Sequence, residues 1–124
     1  MKLLLALFAL MLAAGLASFW LWHRAPVPAP CPSREIARSR SPDDRAQADV
    51  FEVRCGETAA THVALRPAGA PERARADVFV APGSVPIRLE WTGPRELLVQ
   101  SGAERVYVEE TRWRDVAIRV RRTQ

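Results

Sequence analysis

Hydrophobic residues are distributed in two different ways along this chain. Residues 3–22 are almost uniformly apolar, and only Gly15 and Ser18 interrupt the run. A helix of this length spans about 30 Å, which is the thickness of the hydrocarbon layer of a bilayer. From residue 34 onwards, apolar residues instead alternate with polar ones, as is typical of β-strands with one buried face. The pattern predicts one apolar helix followed by an all-β domain.

The all-β domain at 34–124 is predicted to contain about seven short strands. The clearest is 87–91, in which Ile, Leu and Trp alternate with Arg and Glu. Turn signals every eight to twelve residues or so predict an antiparallel meander, folded as a sandwich or a partly open barrel. Besides an edge-like first segment at 34–40, strands are expected at 47–55, 62–66, 77–81, 87–91, 96–100, 105–109 and 115–121. Residues 41–44, 58–61 and 67–75 are expected to form turns or loops.

Residues 1–22 are interpreted as a membrane anchor. Trp20 and Trp22 end the apolar run, and aromatic rings favour the headgroup region of a bilayer. A very short tail with Lys2 before an apolar run is the usual form of an export signal. The sequence therefore predicts a single-pass inner-membrane protein that contacts the membrane through residues 3–22. Its C-terminal domain is expected in the periplasm or extracellular space.

Two observations keep other interpretations of this segment open. Gly15 and Ala17 supply small residues for signal-peptide cleavage before Ser18, although cleavage there would leave the apolar residues 19–22 exposed. Four arginines beyond the run argue against export under the positive-inside rule, namely Arg24, Arg34, Arg38 and Arg40. An exported, uncleaved anchor remains the favoured interpretation.

A proline-rich linker at 23–33 precedes the domain. Four of the ten residues at 23–32 are proline, which favours an extended polyproline II spacer. Cys31 and Cys55 are the only cysteines, and an even pair in a small exported domain indicates a disulfide. Free structural thiols are one alternative, and a nucleophilic Cys55 activated by His62 is another.

Charge is the other conspicuous property of the composition. Seventeen of the 18 basic residues are arginine, and 14 acidic residues are interleaved with them, so no nucleic-acid partner is expected. One basic cluster stands out near the C-terminus and consists of Arg112, Arg114, Arg119, Arg121 and Arg122. It is a candidate site for an anionic polymer or lipid. The favoured alternative is that these charges protect an exposed edge strand from pairing with other chains.

No catalytic residue, metal or cofactor is predicted. Metal sites need more soft ligands than two cysteines and His62, and neither CxxC nor HxxxH spacing occurs. Adjacent carboxylates such as Asp43 and Asp44 would point to opposite faces of a strand and would not converge on a substrate. The sequence therefore favours a non-enzymatic protein.

Several motifs follow one another along the domain. They are Cys31, the turn 41–45 (SPDDR), the strand 50–56 (VFEVRCG), the segment 58–65 (TAATHVAL) and the strand 77–81 (DVFVA). In this order they resemble a family of small bacterial envelope proteins that have an N-terminal apolar segment, an SPDG-type turn and a Cys…Cys-Gly pair. The similarity covers 31–120, but Asp44 replaces the glycine of the turn and the loop after Cys55 is shortened. The family has no established activity, so the resemblance implies an envelope location and the cysteine pair but no function.

The favoured functional hypothesis is an anchored or exported envelope protein that presents a β domain to another protein or to the cell wall. A rigid disulfide-bonded domain also suits an inhibitor or immunity-type regulator of an exported protein, because a pre-organised surface lowers the entropic cost of binding. Binding of an anionic polymer or lipid through the C-terminal arginines is the third hypothesis.

Overall fold

The computed structural model of the protein describes residues 1–24 and 31–123 and divides the chain into two compact units, at 1–30 and 31–124. The first unit contains the helix α1 (Lys2–His23), which is long and apolar enough to be a membrane anchor or a signal sequence. Residues 25–30 of the predicted proline-rich linker lie outside the described residues. The polyproline II geometry predicted for them therefore stays a prediction.

The second unit is built from nine strands in two sheets. The strands are β1 (Ser33–Arg40), β2 (Ala46–Cys55), β3 (Thr58–Pro67), β4 (Ala76–Pro82), β5 (Ile87–Gly93), β6 (Glu96–Ser101), β7 (Val108–Glu109), β8 (Arg112–Trp113) and β9 (Val116–Arg122). One sheet has the order β1-β2-β3-β4-β7 and the other has the order β5-β6-β9-β8. The predicted all-β fold behind one apolar helix is confirmed.

The two sheets share one apolar core, which makes the unit a sandwich. The five-stranded sheet contributes Val50, Val63, Leu65 and Phe79, and the four-stranded sheet contributes Leu97, Val99, Val116 and Ile118. Each of these side chains is at least 96% buried. Because successive residues of a strand point to opposite faces, the residues between them lie on the outer faces of the two sheets.

One strand pairing departs from the predicted antiparallel meander. β6 and β9 run parallel, with Leu97 opposite Ile118 and Val99 opposite Val120. Parallel neighbours need a long crossover connection, and here residues 102–115 supply it. On this crossover, β7 pairs with β4 of the other sheet and β8 pairs with the start of β9.

The crossover also explains why the predicted strand at 105–109 is shorter than expected. Only Val108 and Glu109 of the predicted strand 105–109 are extended, because this segment leaves one sheet and bonds to the edge of the other, where the Tyr107 N–H donates to the Val80 carbonyl at 2.7 Å. β8 covers β9 only at Val116 and Ala117, so the part of β9 that carries Arg119 and Arg121 pairs with β6 alone and is an edge, as predicted.

The segment 58–61, predicted as a loop, instead opens β3. Cys55 pairs directly with Thr58, so Gly56 and Glu57 alone make the turn. Gly56 has a φ of 62°, a left-handed conformation that glycine adopts without strain. The tight turn keeps the two strands in register, and the threonines and alanines of 58–61 continue the ladder.

The first turn and the first strand agree with prediction. Asp44 has a φ of 57°, which explains why glycine would suit this position, and the Asp43 carboxylate accepts a hydrogen bond from the Ser41 hydroxyl at 2.6 Å. β1 is an edge strand as predicted, and a bulge at Ile36 interrupts its pairing with β2. Such bulges discourage edge-to-edge association.

A disulfide joins Cys31 to Cys55 and so ties the chain just before β1 to the end of β2. The predicted bond is therefore present, with a Cα–Cα distance of 5.1 Å across 24 positions of sequence. Disulfides persist in oxidising compartments, so the bond indicates that the β unit resides in one.

Replacement of both cysteines (Cys31→Ser with Cys55→Ser) is expected to lower the free energy of unfolding by about 3 kcal/mol, because the unfolded chain regains the entropy of an open loop. Urea denaturation of the full chain in neutral detergent micelles, followed by far-ultraviolet circular dichroism, measures this loss. Wild-type protein kept under reductant is the matched control and should lose the same amount. Equal stability of the variant and the oxidised protein would contradict the stabilising role.

Candidate functional site

The outer face of the five-stranded sheet holds a buried carboxylate, Asp49 on β2. Its side chain is completely buried, and Gln47 donates a hydrogen bond to Oδ1 at 2.7 Å. Arg75 donates from Nε to Oδ2 at 2.9 Å. The Arg66 Nε lies 2.9 Å from the same oxygen as an ion pair, although its N–H is not aligned for a hydrogen bond. We call these four residues the Asp49 cluster.

The segment after β3 buries this cluster. Arg66 and Ala64 point outward as predicted, but both are buried because residues 67–75 return across the face. The Arg66 guanidinium donates to the Ala70 carbonyl, and the Arg75 guanidinium stacks 4.6 Å from the centre of the Phe51 ring. Each arginine therefore fastens the returning segment to the sheet.

The positive charges around Asp49 lower its pKa. Burial alone would raise the pKa of this carboxyl, but the hydrogen bonds from Gln47 and Arg75 and the charges of Arg66 and Arg75 outweigh that effect. A charge that is paired and hydrogen-bonded on every side has little capacity left for a ligand. The Asp49 cluster is therefore part of the structural framework.

A second carboxylate, Glu52, lies near the disulfide. The Ser84 hydroxyl and the Arg54 guanidinium donate to it, each at 2.8 Å, and these bonds hold its pKa below the usual range. Arg34 lies 3.7 Å away, and an open cavity of about 430 Å³ adjoins this group. Both arginines are directed at Glu52, so this group too is largely satisfied from within.

The outer face of the four-stranded sheet is different, because its basic side chains are exposed. The register places Arg88 on β5, Gln100 on β6 and Arg121 on β9 in one cross-strand row. The next row contains Arg119, and the row beyond it contains Arg112 on β8. We call Arg88, Arg112, Arg119 and Arg121 the arginine face. Rows lie about 6.7 Å apart along a strand, and neighbouring strands lie about 4.8 Å apart.

The same face contains two carboxylates and an apolar residue. Glu90 and Leu98 share a row with Arg119, and Glu96 lies in the row of Arg112. Glu96 is engaged, because the Thr92 hydroxyl donates to it at 3.2 Å and Arg119 lies 3.9 Å from it. The open groove between the rows has a volume of about 610 Å³, and its lining includes Glu90, Thr92, Leu98, Arg119 and Arg121.

Three of the five arginines predicted to form an anion-binding cluster lie on this face, namely Arg112, Arg119 and Arg121. Arg114 lies in the turn between β8 and β9, where its guanidinium stacks on Trp113 at 4.8 Å. Arg122, at the end of β9, belongs by its register to the opposite face of the sheet, but it also lines the groove. Arg88 was missed, although the alternation of 87–91 had placed it outward. Binding of an anion at these residues stays a prediction.

The nucleophile suggested by Cys55 and His62 is not available. The Cys55 sulfur is bonded to Cys31, and the His62 ring stacks on Phe51 with its Nδ1 3.3 Å from the Asp77 carboxylate. Within the ranges 1–24 and 31–123, no group of three or more His, Cys, Asp or Glu side chains is placed to hold a metal ion.

Comparisons of the chain with protein-family models, with curated proteins and with solved structures found no match. The arginine face is therefore the candidate functional site on physical grounds alone. It is an exposed set of charges held on regular strands, whereas Asp49, Arg66 and Arg75 on the opposite outer face are paired with one another.

Substitution of Asp49 by Asn is expected to destabilise the β unit by about 3 to 5 kcal/mol, because it leaves the buried Arg66 guanidinium without a counter-charge and Arg75 with only the exposed Glu72. Chemical denaturation of the full chain in micelles measures the change. Asp115→Asn is the matched control, since this carboxylate pairs with Arg95 at the surface, with 62% of its side chain exposed. The control should cost less than about 1 kcal/mol. Equal losses in the two variants would show that burial of Asp49 is unimportant.

Acid should destabilise the wild type more than Asp49→Asn. The folded-state pKa of Asp49 is lowered, so its contribution to stability is complete above the unfolded pKa and is lost as the pH falls through the folded value. Unfolding free energies compared between neutral pH and the range below about pH 4 should therefore converge for the two proteins. Parallel curves would contradict the assigned direction.

Proposed function

We propose that the protein is a membrane-anchored, non-enzymatic binding module of the bacterial envelope. One observation carries the proposal: an apolar helix of 22 residues precedes a disulfide-bonded sandwich that exposes four arginines on the strands of one sheet. An anchor limits the protein to a membrane, and the disulfide suits a compartment outside the cytosol. The rigid face then serves as the binding surface.

The sheet favours binding because it fixes the side chains before a partner arrives. Side chains carried on regular strands lose less conformational freedom on association than those on mobile loops. The guanidinium group also offers five N–H donors in a fixed plane, which suits bidentate recognition of carboxylate or phosphate. The resemblance of 31–120 to small envelope proteins supports the same location.

The proposed topology has the N-terminus in the cytoplasm and the β unit in the periplasm. Alkaline phosphatase fused after Gln124 is expected to be active, because that enzyme needs an oxidising compartment. Green fluorescent protein fused at the same junction is expected to be exported and to show no fluorescence. The opposite pair of results would overturn the proposed location.

An anchored, uncleaved chain and a chain cleaved by signal peptidase differ in the mass of the mature protein. The proposal expects the intact chain in the membrane fraction, with a mass about 2 Da lower than that of the reduced chain because of one disulfide. Mass spectrometry of membrane and released fractions, with and without reductant, makes both measurements. A shortened chain found only in the released fraction would contradict the anchor and leave the disulfide intact.

Binding in the cell can be tested with a photo-crosslinking amino acid in place of Thr92, beside the arginine face. Thr58 is the matched control, because it is also an exposed threonine, lies on the other sheet and has a hydroxyl that bonds within the protein. Defined adducts are expected at Thr92 and not at Thr58. A lack of adducts at both positions, or equal adducts at both, would contradict a binding role for this face.

A further inference from the structure

The chemistry of the arginine face is mixed, and the mixture restricts what it can bind. Arg119 and Arg121 follow one another on the same side of β9, about 6.7 Å apart along the strand. Glu90 lies in the row of Arg119, on the far side of β6. A ligand that covers the groove must therefore offer anionic groups to the arginines and hydrogen-bond donors to the glutamate.

A uniformly anionic surface meets only half of this requirement. A layer of phosphate headgroups would pair with Arg119 and Arg121 but would also bring negative charge against Glu90, and like charges repel. A carboxylate such as Glu90 accepts hydrogen bonds and donates none. A hydroxyl group is the uncharged ligand group that can donate to it without adding positive charge beside the arginines.

The remaining residues of the groove fit the same ligand. Thr92 and Leu98 also line the groove, and Leu98 is an apolar residue with 8% exposure. Hydroxyl groups, an anionic group and an apolar C–H surface occur together in a charged sugar ring. The groove volume of about 610 Å³ is also in the range of small-ligand sites.

We infer that the arginine face binds an acidic polysaccharide, with the anionic groups of the polymer on Arg119 and Arg121 and sugar hydroxyls donating to Glu90. The inference rests on the proposed function, since it names the ligand of that binding module. A polymer suits the site because Arg88 and Arg112 continue the basic surface beyond the groove in two directions, so several sugars could be held at once.

The test uses the full chain in phosphatidylcholine nanodiscs with polygalacturonate as the probe and neutral dextran as its uncharged control. Polygalacturonate is expected to bind in a salt-dependent way, and dextran is expected not to bind. Arg119→Gln with Arg121→Gln should weaken the affinity about tenfold by removing two charge-assisted contacts. Arg40→Gln with Arg73→Gln makes the same change in net charge at exposed positions elsewhere and should leave the affinity unchanged.

Glu90→Gln separates sugar recognition from attraction by charge alone. If hydroxyl groups donate to Glu90, the variant should bind polygalacturonate about threefold more weakly, because a neutral amide is the poorer acceptor. If only charge matters, removal of a negative group should strengthen binding. Stronger binding by this variant would overturn the inference.

Polyphosphate and vesicles that contain dicetyl phosphate, neither of which carries sugar or glycerol hydroxyls, complete the experiment. Both carry negative charge, and the inference expects each to bind the protein more weakly than polygalacturonate does. Equal or tighter binding of either probe would identify a phosphate polymer or a membrane surface instead. Failure of every probe to bind, together with specific adducts at Thr92 in cells, would reject the polysaccharide and retain the binding module. Failure of both experiments would reject the module as well.

Discussion

The parallel pairing of β6 with β9 is the constraint on which the rest of the β unit depends. It buries Leu97, Val99 and Ile118 together at the centre of the sandwich. The same register places Arg119 and Arg121 beside Leu98 and Gln100 on the outer side. Core and candidate site are thus two faces of one hydrogen-bonded ladder, because alternate residues of a strand point in opposite directions. A shift of one residue would send the arginines into the core and the aliphatic side chains into solvent. The free energy needed to bury those charges therefore disfavours any shift of the strand register.

The two outer faces of the sandwich use arginine for different purposes. On the five-stranded sheet, Arg66 and Arg75 converge on Asp49 and hold the returning segment 67–75 in place. Their charges are neutralised within the protein, and a buried guanidinium needs such a partner. On the four-stranded sheet, Arg119 has one distant partner in Glu96, and its side chain remains 68% exposed. A basic composition of this kind therefore does not by itself indicate a basic surface. The position of each arginine relative to an acidic neighbour decides whether its charge is available to a ligand.

Local patterns predicted the elements better than they predicted the contacts between them. The apolar helix, the edge strand β1, the turn at 41–44 and the strand β5 all follow from features within about ten consecutive residues. The cysteine pair followed from composition and from the predicted export. The burial of Asp49 could not be predicted, because it depends on Arg75, 26 positions away. Membership of Arg88 in the arginine face was hidden for a related reason. The alternation of apolar and polar residues in 87–91 showed that Arg88 points outward. Only the pairing of β6 with both β5 and β9 brings it into the row of Arg121.

The acidic residues on the arginine face are as informative as the basic ones. A face made of arginine alone would attract any polyanion, including nucleic acid and anionic lipid, since long-range attraction between opposite charges has little chemical selectivity. Discrimination requires an element that penalises the wrong partner. Glu90 supplies one, because it repels a ligand whose charge is continuous and accepts hydrogen bonds from a ligand that places hydroxyl groups between its charges. Its place in the same row as Arg119, two strands away, makes the penalty and the attraction act on neighbouring groups of one ligand. The proposed preference for an acidic polysaccharide thus depends on the spacing of unlike charges across three strands and not on the excess of positive charge.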